Sequence, residues 1–225
     1  QPVAEAGTYP LMVFNPKTTA EKQIIECELS IIPTENYLEK RSYIEVYDEN
    51  GNKLKAQTVK EASNISIDWR KKVLFEATPA AMAITRYTAK TVVLPVKKYE
   101  EVTKDIVFDN GEKRVVIGAE SGLIESYVVH GKEYAKGSLF VPEMYDDTPD
   151  PWGMNEPYVG HNSAIIPLLK KPDGVFDGMK SVQIIEDGAI CLGVEAFFGL
   201  GLTRVRLGYK IYKDGTAAEI ERKRF

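Results

Sequence analysis

The chain of 225 residues carries 29 Lys and Arg against 33 Asp and Glu, a formal net charge of -4, with a pI near 5.4. No Lys/Arg-rich stripe runs through it, which argues against a nucleic-acid-binding face; the short basic runs Arg70-Lys71-Lys72 and Arg222-Lys223-Arg224 read as solvated strand ends. With 44% hydrophobic and 28% charged residues the composition is that of a folded globular chain and not a disordered one, and the length suits two β-domains, or one domain and a large part of another.

Residues 1–8 read as a loose lead-in. Thr18-Thr19-Ala20-Glu21 has the spacing of a capping box, which would open a helix. The residues that follow decide against it: Ile25, Cys27, Leu29 and Ile31 alternate with Glu26, Glu28 and Ser30, the pattern of a strand with one buried and one wet face. Tyr43 to Tyr47, Val73 to Phe75, Arg114 to Ile117 and Val205 to Tyr209 read the same way. Asn50-Gly51, Asn110-Gly111, Ser121-Gly122, Asp187-Gly188 and Asp214-Gly215 punctuate these runs. Asn-Gly and Asp-Gly favour tight hairpin turns because both residues reach positive φ at little cost. No segment sustains a helical stripe, so the expected class is all-β and sandwich-like. A charged connector, 97–103, separates a small β-sandwich at 9–96 from a second β-unit at 104–225. The second unit is interrupted at 142–178 by a Pro-, Gly- and Asp-rich stretch too long for a hairpin loop; such stretches are often functional. The final residues, Glu219 to Phe225, read as a strand in mid-flow. An unpaired strand there predicts either dimer contacts at that edge or a polypeptide that continues past it.

Chemistry-bearing residues are sparse. Cys27 and Cys191 each sit inside an apolar strand pattern, and two buried thiols are expected in preference to a disulfide. Two histidines, His130 and His161, are too few for a zinc site of His and Cys at motif spacing. His130 falls in a turn before Gly131. No apolar run of about 18 residues would span a membrane, and no signal peptide is visible. Asn64-Ile65-Ser66 is a sequon, a short and common pattern. Gly199-Leu200-Gly201 lacks the third glycine of a dinucleotide fingerprint and reads as relief of a tight bend. The most distinctive segment is Tyr145-Asp146-Asp147-Thr148-Pro149-Asp150-Pro151-Trp152. Its aspartates suit a hard cation such as Ca²⁺, or alternatively cap backbone N–H groups in a proline-anchored turn. Trp152 and Tyr158 offer flat apolar faces beside acceptors, a combination that suits a sugar ring; alternatively Trp152 plugs the loop onto a sheet. Tyr145, Asp146, Asp147, Trp152, Tyr158 and His161 are the candidate carbohydrate-binding residues. No acid and base pair can be singled out among 33 carboxylates.

Several segments, taken in order, resemble the C-terminal β-region of family 38 glycoside hydrolases, the α-mannosidases. These are Val13-Phe14-Asn15-Pro16; the alternating strand Ile25 to Ile31; Val46-Tyr47-Asp48-Glu49-Asn50-Gly51 with Gln57 after it; and Val73 to Ala77 with Pro79 and Tyr87 beyond. Ala81-Met82 stands where the family usually has glycine. The series continues with Glu120 to Ser126, the Gly131-Lys132-Glu133 turn, the Tyr145 to Trp152 loop and Ile185-Glu186-Asp187-Gly188. The resemblance implies a galactose-mutarotase-like β-supersandwich for part of the chain. It also implies a parent polypeptide whose catalytic aspartates and zinc lie in an N-terminal barrel. No catalytic or metal-binding residue is therefore expected here, and zinc is expected only in that barrel. The implied partners are the rest of the polypeptide (barrel and helical bundle) and carbohydrate, with neither nucleic acid nor membrane; homo-oligomerisation is compatible with it. The implied location is cytoplasmic. A free-standing sugar-binding sandwich is the main alternative. A mutarotase-like epimerase would need a His/Glu acid–base set that His130 and His161 poorly supply.

Overall fold

The computed structural model describes residues 7–32, 39–61, 69–99, 101–145 and 163–225. The described residues form β-strands and one 3-10 turn, with no α-helix among them. All the sheets are antiparallel, the architecture of an all-β, sandwich-like protein. The chain divides into two compact units. The first comprises residues 1–98 with 186–191, and the second residues 99–185 with 192–225.

The first unit holds β1 (Thr8–Asn15), β2 (Gln23–Ser30), β3 (Lys40–Tyr47), β4 (Ala56–Val59), β5 (Arg70–Ala77) and β6 (Ala83–Pro95). They make two three-stranded sheets, β1-β6-β3 and β2-β5-β4. Ile44, Val46, Tyr87 and Ala89 from one sheet and Val73, Phe75 and Ala77 from the other form a single buried core. Phe75 and Tyr87 meet edge to face across it at 5.3 Å. The proposed capping box does not open a helix. Thr19 Oγ1 donates to Glu21 instead, and the strand alternation takes over at Gln23. Pro10 sits in β1, an edge strand. Thr91 N donates to the Gly7 carbonyl, so residues 8, 10, 12 and 14 turn their backbone groups to the free edge. A proline there removes a donor that another strand would need.

The second unit holds β7 (Ile106–Asp109), β8 (Lys113–Ile117), β9 (Ile124–Val129), β10 (Lys132–Glu133), β11 (Glu143–Tyr145), β12 (Ser163–Ile165), β13 (Val182–Asp187), β14 (Cys191–Leu200), β15 (Thr203–Tyr212) and β16 (Ala218–Arg224). They form the sheets β10-β9-β8-β7 and β13-β14-β15-β16 and the ribbon β11-β12. Val115, Ile117 and Ile124 of the first sheet share a core with Val194, Ala196, Phe198, Val205, Leu207, Tyr209 and Ile211 of the second. The tip of the β13–β14 hairpin, residues 186–191, belongs to the first unit.

The turn dipeptides fall largely where their chemistry predicts. Gly51, Gly111, Gly122 and Gly215 all have positive φ. Gly188 does not. It is glycine for a different reason: a Cβ at that position would lie 2.3 Å from the Gln57 side chain. Gly201 takes the bend between β14 and β15 at φ 56°.

Candidate functional site

Of the residues singled out for carbohydrate binding, Asp146, Asp147, Trp152, Tyr158 and His161 lie outside the described residues, as does the sequon at Asn64. Tyr145 is described. It ends β11, opposite Ser163 in the ribbon, and is partly exposed. Its hydroxyl donates to the Glu143 carboxylate, and that bond raises the phenol above its ordinary value. The adjacent Met144 sulfur lies 3.8 Å from the Thr203 hydroxyl, which places this ribbon at the start of β15. His130 occupies the turn between β9 and β10, at φ 48° and exposed, its N–H donating to the Glu112 carbonyl. It is a turn residue with no acid–base partner among the described residues.

One polar constellation among the described residues of the second unit was not apparent from sequence. It lies on the face of β13–β16 turned away from the core. In β14, Leu192, Val194, Ala196 and Phe198 point to the core, so Glu195 must point the other way. Glu195 is nevertheless only 2% exposed. Its Oε1 accepts from Arg206 Nη1 at 2.9 Å and its Oε2 from Gln183 Nε2 at 3.1 Å. Arg206 also reaches Glu221 on β16, through Nη2 at 2.8 Å. Its Nε is buried with no hydrogen-bond partner among the described residues. One step along β15, Arg204 grips Asp173 through Nε and Nη2 at 2.7 and 2.9 Å, the two-pronged geometry that guanidinium favours. Beside them Phe197 packs on Phe176 of the 3-10 turn, with ring centroids 4.6 Å apart, and Phe225 packs on Phe176 in turn. The signal available in sequence was one carboxylate inside Cys191-Leu192-Gly193-Val194-Glu195-Ala196-Phe197-Phe198. A lone charge in such a run calls for a partner. Each Glu195 oxygen accepts from a donor, an arrangement that holds a strand or orients a guanidinium.

Other buried polar side chains hold backbone. In the first unit Gln57 Oε1 accepts from the N–H groups of Ile190 and Cys191 at 2.9 and 2.8 Å. Its Nε2 donates to the Cys191 carbonyl at 3.1 Å. Asn15, 2% exposed, donates to the carbonyls of Thr19 and Pro79 and accepts from Lys17 N. In the second unit Lys113, 1% exposed, donates to the carbonyls of Tyr212 and Ala217 at 2.7 and 2.6 Å, and Asn110 donates to those of Lys213 and Gly215. Burial lowers the Lys113 ammonium from its ordinary value. Glu133 accepts from the Ser126 hydroxyl and the N–H groups of Ala135 and Tyr127. These bonds hold its carboxyl down at about 2. Both cysteines are free thiols. Cys191 is buried, whereas Cys27 is only half-buried because it faces the sandwich core from an edge strand.

Among the described residues no group of three or more His, Cys, Asp or Glu is placed to hold a metal ion, and no helix is long and apolar enough to cross a membrane. No protein-family model matches the chain, and no curated protein matches it.

Proposed function

We propose that this chain is a non-catalytic C-terminal β-module of a zinc-dependent α-mannosidase. On this reading it supports the catalytic barrel of its parent polypeptide, and its second unit is part of a galactose-mutarotase-like supersandwich. Hydrolysis and zinc both belong to the barrel.

One observation supports the reading beyond the order of the matching segments. Several described polar residues of those segments hold backbone. Asn15 of Phe14-Asn15-Pro16 ties two loops together, Glu133 of Gly131-Lys132-Glu133 caps a hairpin, and Gln57 seats the tip that contains Asp187-Gly188. Such roles are those of a scaffold. The test has two arms. The purified chain, given zinc and an aryl α-mannoside, is expected to show no turnover; zinc-dependent cleavage would end the claim that it is non-catalytic. An antibody against the chain is expected to detect a native polypeptide several times larger than 25.2 kDa. A band at that mass instead would end the claim of a parent enzyme.

A second reading, a free-standing carbohydrate-binding sandwich, is favoured by the partly exposed Tyr145 beside Glu143 at the foot of the Trp152 segment. It requires heat on titration with mannose or mannobiose, and a rise in melting temperature with either sugar.

A further inference from the structure

The chain contains two Asn-Gly pairs in hairpin turns, identical as dipeptides and held differently by the fold. We propose that Asn50 is a site of spontaneous deamidation and isoaspartate formation in the folded protein, and that Asn110 is protected. The inference is independent of the function proposed above.

The chemistry needs two things: an asparagine side chain free to turn back on its own backbone, and a following amide nitrogen free to attack. The backbone nitrogen of the glycine attacks the asparagine Cγ. The Cγ–Nδ2 bond breaks, and ammonia leaves with the proton that the glycine nitrogen gives up. The resulting succinimide is opened by water at either carbonyl, to aspartate or isoaspartate. Water is the only co-reactant, and nothing is oxidised or reduced.

Asn50 meets the first need in full and the second far better than Asn110 does. It is exposed, and its side chain has no hydrogen-bond partner among the described residues. The turn is held by the neighbours instead: Asp48 Oδ1 accepts from the backbone N–H groups of Asn50 and Asn52, and Asp48 Oδ2 from Asn52 Nδ2. Gly51 N donates to the Asp48 carbonyl at 3.1 Å and faces the Asp48 carboxylate only weakly, and nothing lies within 4 Å of where a Gly51 Cβ would be. Asn110 meets neither need. Its Oδ1 accepts from Glu112 N and Lys113 N at 3.0 and 2.7 Å, and its Nδ2 donates to the Lys213 and Gly215 carbonyls, both at 2.9 Å. Gly111 N donates to the Asp109 carboxylate at 2.8 Å. A charge-assisted bond there keeps on the nitrogen the proton that attack must remove. Reaction at Asn110 would first have to break this network.

The experiment incubates the intact chain in mildly alkaline buffer, with a parallel sample in urea. Both are then digested with trypsin. The peptides Ser42–Lys53 and Asp105–Lys113 report the two sites by the mass change of amide to acid and by isoaspartyl methyltransferase labelling. In urea the two should react at comparable rates. In the folded chain Asn50 should react at least about tenfold faster, since freeing Asn110 costs one or more hydrogen bonds of ~1.4 kcal/mol. The Asn50→Gln variant should lose the fast modification and keep the slow one. Equal rates at the two sites in the folded chain, faster reaction at Asn110, or no reaction at Asn50 while the urea sample reacts would each overturn the proposal.

Discussion

Truncating Gln57 to alanine strands two buried N–H groups, those of Ile190 and Cys191, and removes the donor to the Cys191 carbonyl. Leaving buried donors unmade costs more than a net hydrogen bond is worth, so Gln57→Ala is expected to lower the stability of the first unit by about 2–4 kcal/mol. Urea unfolding would show a lower midpoint at unchanged slope; an unmoved midpoint would mean that water replaces the amide. Lys113 makes a prediction about pH. Its ammonium is penalised by burial, so its folded pKa lies below the ordinary 10.5. The unfolded chain then binds more protons than the folded one between the two values, and stability rises with pH across that window. Below the folded pKa the penalty is fully present. The Lys113→Met variant removes this slope, so stability curves of wild type and variant, measured across the alkaline range below 10.5, should converge or cross. Parallel curves would refute the assignment. These two residues also show where sequence reading stops. Gln57 is an ordinary polar position in a strand pattern, and its partners lie 133 and 134 residues away.

At the scale of the element, alternation carried most of the information. Ile25 to Ile31 reads as a strand by its period of two, whereas Val73, Leu74 and Phe75, all buried, read as one by their unbroken apolar run. Period-two burial is a local property that survives whatever the strand pairs with. Several turns set by positive φ were legible, as at Gly111 and Gly215, whereas Gly137, which follows Lys136, carried no such dipeptide signal. Gly188 escaped that logic, because a close approach by Gln57 selects it and not a dihedral angle. The outward face of β13–β16 was harder still. Glu195 and Arg206 sit on separate strands, and only the pairing of β14 with β15 brings them together. Removing one partner leaves the other charge nearly desolvated, since the Arg206 side chain is 14% exposed. Glu195→Ala is therefore expected to cost about 2–4 kcal/mol, whereas Glu221→Ala, at the exposed end of the same network, should cost about 0–1 kcal/mol. Chemical denaturation of the two variants side by side decides it. Equal losses would mean that the buried pair is no more important than the surface one.

Across the whole molecule, stability rests on two hydrophobic cores without covalent cross-links among the described residues. Burial pushes the Cys27 thiol up to about 11, so little thiolate exists at neutral pH. Cys27 and Cys191 are expected to react with a maleimide slowly in the native protein and promptly after unfolding. Reductant should leave the melting temperature unchanged; a fall of several degrees on adding it would reveal a disulfide. What the sequence determined by itself is the all-β class, the strands that show it and most of the glycine turns. Those depend on residue-by-residue preferences and on a period of two. What only the tertiary structure decided is which buried polar groups meet: Gln57 with residues 190 and 191, Lys113 and Asn110 with the β15–β16 turn, Glu195 with Arg206. The first two groups join positions 99 to 134 residues apart, and Glu195 and Arg206 stand 11 apart on adjacent strands. Each pairing exists because a buried donor or acceptor must find a partner among whatever the strand register sets beside it, and no local pattern encodes that register.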